Sequence, residues 1–169
     1  KNLQSVLTLM SQGEQLENDL ELDAALSAYA NAIALDALWQ PAATAVARVK
    51  AAINQFSFEQ RMTEGFDALF ARDFPSARAA FNAAKALNPK SQQPADGLLQ
   101  LDQEIRLSQI RQLEAEALQL DSVEQWEASI VVYEDVLKID PDLQFAQTGL
   151  AVANSRARLH GRLADLIAD

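Results

Sequence analysis

The side chains that most often carry catalysis are sparse in this chain, and their spacing does not assemble a reactive group. His160 is the only histidine, so any Ser-His-Asp triad would have to be built around it. Ser155 lies five residues away on the same predicted helix, and Arg156, Arg158 and Arg162 flank the histidine. A surface histidine among basic residues is the simpler interpretation, and the sequence therefore predicts no nucleophilic triad.

Carboxylate pairs also occur on predicted helices, but without the partners that a metal site needs. The pairs are Glu14 with Glu17, Glu114 with Glu116, and Glu124 with Glu127. A di-iron helical bundle requires two Glu-x-x-His motifs, which one histidine cannot supply. There is no EF-hand spacing, no glycine-rich phosphate loop and no cysteine. We therefore expect a protein that is not an enzyme and has no metal or cofactor.

The composition excludes two classes of partner and favours helix. The 169 residues carry a formal net charge of −10, which opposes binding to nucleic acid and to anionic membrane surfaces. The chain is rich in Ala, Leu and Gln and poor in Gly and Pro, as in helical proteins. No stretch alternates apolar and polar residues in the way a half-buried strand does.

Two further expectations concern the cellular setting. The chain begins at Lys1 rather than Met, and we expect it to be a fragment of a longer protein. It contains no signal peptide or apolar stretch long enough to span a membrane. Its acidic, cysteine-free composition fits a periplasmic protein or the soluble part of a membrane-anchored bacterial protein slightly better than a cytoplasmic one.

Three segments of the chain match one another at a spacing of 52 residues. The matching positions are Gly13, Gly65 and Ala117; Ala25, Ala77 and Ser129; and Tyr29, Phe81 and Tyr133. Self-similarity at a fixed period is typical of stacked repeats, in which each unit buries its apolar face on its neighbours. The units run over about 6–57, 58–109 and 110–161, followed by the start of a fourth, in one array over 1–169.

The residues within each unit resemble the tetratricopeptide repeat (TPR). The middle unit has Gly65, Ala68, Phe74, Ala77, Phe81, Ala84 and Pro89, and the third has Ala117, Leu120, Trp126, Ser129, Tyr133, Val136 and Pro141 at the same offsets. In this pattern small residues let helices A and B approach closely, and the aromatic residue fills the space beside them. The resemblance implies an all-α fold of stacked antiparallel helix hairpins, a TPR-like α-solenoid.

The period exceeds the 34 residues of a TPR by 18, which is five whole helical turns. An insertion of whole turns preserves the facing of the residues beyond it, so the sequence predicts alternating long and short helices. The long helices are expected over about 41–71 and 94–120, and the short ones over about 75–87 and 122–139. Asp73 is expected as an N-cap, and Asp121 with Glu124 as a capping box. The alternative is a break near Ser57 and Ser108, which gives three helices per unit.

The TPR resemblance places partner binding on helix A. The candidate residues are Glu59, Met62, Phe66 and Phe70 in the middle unit, and Arg111, Glu114 and Leu118 in the third. The apolar stripe of the middle unit would suit an amphipathic helix or an extended peptide, although a lengthened helix may instead bury it. Trp39 and Trp126 are expected to pack in the core rather than to stack on a ligand.

The sequence therefore favours a non-catalytic scaffold that binds a protein or peptide on the helix-A face. A structural spacer or self-association domain of a membrane-anchored or multidomain protein is the alternative. A regulatory domain fused to an enzyme is a third hypothesis. Mass in solution discriminates the first two, because a stable dimer would favour self-association.

Overall fold

The computed structural model describes residues 2–168, and this part of the chain is helical without strands. Its seven helices are α1 (Asn2–Asn18), α2 (Leu22–Leu35), α3 (Gln40–Phe70), α4 (Phe74–Leu87), α5 (Gln93–Ser122), α6 (Trp126–Ile139) and α7 (Gln144–Ala168). Neighbouring helices pack in pairs. The chain divides into two compact units, Lys1–Leu99 and Gln100–Asp169, and the division falls within α5.

The two long helices are continuous, as the whole-turn insertion predicted. Helix α3 has 31 residues and α5 has 30, and neither is interrupted near Ser57 or Ser108. Pro41 stands in the first turn of α3, where its missing N–H costs no intrahelical hydrogen bond. The alternative of three helices per unit is therefore excluded.

One of the two predicted caps is confirmed and the other is wrong. Asp73 caps α4, since its carboxylate accepts hydrogen bonds from the Ser76 N–H at 3.2 Å and from the Ser76 hydroxyl at 2.7 Å. Asp121 lies inside α5 and bonds the Ser129 and Tyr133 hydroxyls instead. Helix α6 accordingly begins at Trp126, four residues later than expected.

Three equivalent turns end the helices α1, α3 and α5. Leu20, Arg72 and Glu124 are spaced by 52 residues, and their φ angles of 62°, 60° and 58° place all three in the left-handed region. In each turn the backbone N–H of the following residue donates a hydrogen bond to the carbonyl five residues before it. The bond from Asp73 to Ala68, at 2.9 Å, is one example. This is the Schellman motif, which usually places glycine at the left-handed position. The same turn therefore recurs without its usual residue.

In the unit Lys1–Leu99, the short helix α2 is packed between α1 and the first half of α3. Tyr29 is fully buried, and a Cβ at Gly13 would collide with its ring. The same core cluster contains Ala45 and Val49 of α3. Tyr29 thus has a small residue 16 positions before it in sequence and another 16 positions after it.

The short helix α4 is packed in the same way within this unit. Phe81 is fully buried, and Cβ atoms at Gly65 of α3 and Gly97 of α5 would lie 2.5 Å and 2.7 Å from its Cε1. The 16-residue spacing is thus repeated on both sides of Phe81. Asn54 of α3 donates a hydrogen bond to the Leu87 carbonyl at the end of α4, at 3.1 Å.

In the unit Gln100–Asp169, the short helix α6 holds the third aromatic residue. Tyr133 lies in a core cluster with Ala117 of α5 and with Ala146 and Ala153 of α7. A Cβ at Gly149 would collide with the Tyr133 ring, so the 16-residue spacing appears a third time. Both tryptophans pack beside core clusters as expected, Trp126 here and Trp39 beside a cluster of the other unit.

A candidate interaction surface on helix α3

The two halves of α3 bury different sides of the helix. Ala45 in the first half packs with the α2 core, whereas Gly65 in the second half packs on Phe81 of α4. These two residues are 20 positions apart, which places them about 160° apart around the helix. The inserted turns therefore separate two packing roles along α3, because each half contacts a different short helix.

The side of α3 that packs on α2 continues past α2 without a covering helix. Positions 42, 49, 56, 63 and 70 repeat every seven residues, and positions 45, 52, 59 and 66 do the same. This is the a/d pattern of two packed helices. Ala42, Ala45 and Val49 are buried along it, but Phe56 is 66% exposed and Phe70 is 95% exposed.

We call the exposed part of this pattern the α3 seam, which comprises Phe56, Glu59, Thr63, Phe66 and Phe70. It extends over 15 residues, and the 14 steps between its first and last residue correspond to about 21 Å of helix. Three exposed phenylalanines on one helix form an apolar line of the kind that marks interaction sites. The seam is anchored in the core through Phe66, whose ring meets Phe81 edge-on at a centroid distance of 5.1 Å and an interplanar angle of 74°.

The charges along the α3 seam are negative. Glu59 and Asp67 are both exposed, and Glu59 is oriented by a hydrogen bond from the Gln55 amide at 2.7 Å. Arg61, on another side of the helix, pairs with Glu64 at 2.6 Å. The seam is thus an acidic aromatic surface, which favours a partner with apolar and basic side chains.

The structure separates the candidates that the sequence placed together on helix A of the middle unit. Glu59 and Phe70 are exposed, and Phe66 is 41% exposed. Met62 is 8% exposed and belongs to the side that faces α4, together with Phe58. We therefore leave Met62 out of the surface.

Sequence reasoning missed Phe56 as a surface residue and Phe58 as a core residue. The repeat register contained a signal for this, since Gly65 must face the short helix. Met62 and Phe58 precede Gly65 by three and seven residues and so share its side of α3. Phe56 does not, and the heptad through Val49 places it on the seam.

The candidates on α5 lie in the other unit and form a different surface. Arg111 is exposed, with a guanidinium nitrogen 3.9 Å from a Glu104 carboxylate oxygen. Glu114 is half-buried, and Leu118 is 59% exposed. The α5 positions equivalent to Phe56 and Phe70 are serines, so α5 has no aromatic line like that of α3.

The described residues offer little other chemistry. Ser155 and His160 are exposed on α7, and the searched residues contain no group of three His, Asp or Glu side chains placed to hold a metal ion. No helix among them is both long and apolar enough to cross a membrane. No known protein family model matches the chain, and no curated protein matches it significantly.

Proposed function

We propose that this chain is a non-catalytic, TPR-like α-solenoid scaffold that binds a helical segment of a partner protein molecule, whether a different protein or a second copy, along the α3 seam. The observation that carries the proposal is the heptad pattern of α3. Its first half packs on α2, and its second half presents Phe56, Phe66 and Phe70 at the same periodicity to solvent. A helix that continued the packing of α2 would bury all three rings.

The chemistry of the surface supports a helix rather than a small molecule. The seam is an exposed line of about 21 Å rather than an enclosed pocket, and helix-in-groove recognition uses anchors spaced three to four residues apart. Glu59 and Asp67 add selectivity for a basic partner and oppose an acidic one. The net charge of −10 argues against nucleic acid as the natural occupant.

The test is capture of partners by the full chain from cells that make it, with identification by mass spectrometry. The test variant is Phe56→Ser/Phe70→Ser, which removes two exposed rings and leaves the Phe66–Phe81 contact in place. We expect affinity for a partner that uses the seam to fall at least about tenfold, because buried aromatic anchors dominate such interfaces.

The matched control is Leu20→Ser/Leu38→Ser, since these side chains are 82% and 86% exposed but lie in turns. A partner that is lost only in the phenylalanine variant supports the proposal. A partner retained by both variants binds elsewhere, and one lost in both adheres to exposed apolar surface in general. Either of these two results contradicts the seam as the binding site.

A further inference from the structure

A second exposed heptad line runs along α7, in the other unit. Val152, Leu159, Leu163 and Leu166 are 48%, 49%, 58% and 75% exposed, and Arg156 completes their alternating three- and four-residue spacing. We call these five residues the α7 seam. It covers 15 residues, the same length as the α3 seam, and therefore also about 21 Å.

The α7 seam carries charge opposite to that of the α3 seam. Arg156 lies within it and Arg162 beside it, and both side chains are exposed. Neither guanidinium group forms an ion pair with any described residue. Glu59 and Asp67, within and beside the α3 seam, are likewise without a basic partner among the described residues. Two apolar lines of equal length and opposite charge are thus present in one chain.

A cleft along the α7 seam provides space for large side chains. It has a volume of about 500 Å³ and is lined by Trp126, Leu159, Leu163 and Ile167 together with the polar side chains of Glu124, Arg156 and His160. Volumes of this size accommodate buried ligand groups. The apolar part of this cleft, formed by Trp126 and the three aliphatic residues, suits aromatic side chains such as those of the α3 seam.

We infer that the helix that occupies the α3 seam is α7 of a second copy of this chain. The occupant would extend the existing α2–α3 interface with the same heptad packing. Arg156 and Arg162 would oppose Glu59 and Asp67, and the phenylalanine rings would be removed from water. This inference rests on the proposed function of the α3 seam and names its occupant.

Charge reversal on each seam tests the inference with the full chain alone. One variant carries Glu59→Arg/Asp67→Arg and the other Arg156→Glu/Arg162→Glu, and mass is measured by sedimentation equilibrium. The wild type should self-associate, and each variant alone should associate at least about tenfold more weakly, because like charges then face each other. Higher salt should weaken wild-type association, since rim charges are screened.

An equimolar mixture of the two variants provides the decisive measurement. In the mixture, the acidic α7 seam of one variant meets the basic α3 seam of the other, and the wild-type pairing is also available. Association should return to within about threefold of the wild-type value, which is close to the scatter of measured interaction strengths. The control Lys85→Glu/Lys90→Glu reverses two exposed charges elsewhere and should associate as the wild type does.

A wild type that stays monomeric at millimolar concentration overturns the inference. So does association that survives both reversals, or a mixture that fails to restore it although each variant retains its helical circular dichroism. The proposed function would still be supported after any of these results if wild type captures a partner that the Phe56→Ser/Phe70→Ser variant does not. A monomer whose captured partners ignore the α3 seam overturns both.

Discussion

Tyr29 and Phe81 occupy the same repeat position, but the two sites are closed in different ways. The Tyr29 hydroxyl donates a 3.0 Å hydrogen bond to Glu17, and Arg48 binds the same carboxylate through two nitrogens at 2.8 Å and 2.7 Å. Leu69 stands in the middle unit where Glu17 stands in the first, and it is buried. The two units thus differ at both positions together: the first has an acid and a tyrosine hydroxyl, and the middle one has a leucine and a phenyl ring.

The repeat therefore fixes the shape of the packing around each aromatic ring, whereas the polar contacts at the edge of the ring vary from unit to unit. Small residues flank both rings, which lets the neighbouring helices approach closely in each of the two sites. In the first unit, the hydrogen bonds from Arg48 to Glu17 connect the end of α1 to α3, and partial removal of these charged groups from water offsets some of the stabilisation. The apolar set instead extends to the surface through Phe66, which connects the core to the α3 seam.

The third aromatic site shows a variant of the polar closure in its own unit. The Tyr133 hydroxyl donates to Asp121 at 2.8 Å, and the Ser129 hydroxyl donates to the other oxygen of the same carboxylate. Burial, followed by the hydrogen bond to Asp121, raises the pKa of Tyr133 to about 12. A tyrosine at this position therefore accompanies an acid in both cases, and the phenylalanine accompanies a leucine.

Introducing the acid alone into the middle unit should destabilise the protein more than any other change considered for these two sites. Leu69→Asp would bury a carboxylate beside Phe81 without a donor, and we expect a loss of about 3 kcal/mol or more in the free energy of unfolding. Adding Phe81→Tyr supplies the hydroxyl and should recover about 1 kcal/mol. Urea unfolding of the single and double variants measures both terms. Equal stability of the two variants would show that the closing set is not transferable.

Enlarging the small residue should destabilise the middle site by the next largest amount. A Cβ at Gly65 would lie 2.5 Å from the Phe81 ring, and Gly65→Ala should cost about 2 kcal/mol by overpacking. The matched control is Gly161→Ala on α7, where a Cβ meets no atom within 4 Å. There the same change should stabilise the helix by about 0.5–1 kcal/mol. Thermal unfolding of both variants should therefore shift in opposite directions.

Much of this packing could be predicted from the sequence, because the 52-residue register constrains it. The small residue before each ring, the continuous long helices and the Asp73 cap follow from spacing and local capping rules. The second small residue, represented by Ala45 and Gly97, repeats in the same 52-residue register, and the signal for it is an alignment of the units over their full length.

The candidate surface was less predictable because periodicity alone does not say which side of a long helix is covered. Met62 and Phe56 both fit an apolar three- to four-residue pattern, yet one is buried and the other is exposed. Their exposure differs because α2 covers only the first half of α3, whereas α4 packs on a different side of the second half. The left-handed Arg72 is also invisible in the sequence, since no glycine marks it.

Replacing that residue should stabilise the turn that joins α3 to α4. Arg72 has a φ of 60°, which strains a residue with a Cβ, and Arg72→Gly should raise the free energy of unfolding by up to about 1 kcal/mol. The comparison variant Gln60→Gly, at an exposed position inside α3, should instead lower it by about 1 kcal/mol. A loss of stability in both variants would contradict the strain in the turn.

Acid titration should reveal the smallest difference between the two sites, which comes from the Glu17 carboxylate. The Arg48 guanidinium is the main cause that lowers the pKa of Glu17 from its usual 4.5. Because the folded state depresses this pKa, the stabilisation is present above pH 4.5 and is lost as the pH falls through the folded value. Arg48 is 55% exposed, so the contribution at neutral pH should be below about 1 kcal/mol.

The variant Glu17→Gln isolates this contribution, because glutamine retains the side-chain shape but is uncharged at every pH. Its free energy of unfolding should be lower than that of the wild type at neutral pH, and the two should converge in acid. A difference between Glu17→Gln and wild type that stays constant across the acid range would contradict a stabilising contribution from the Glu17 charge.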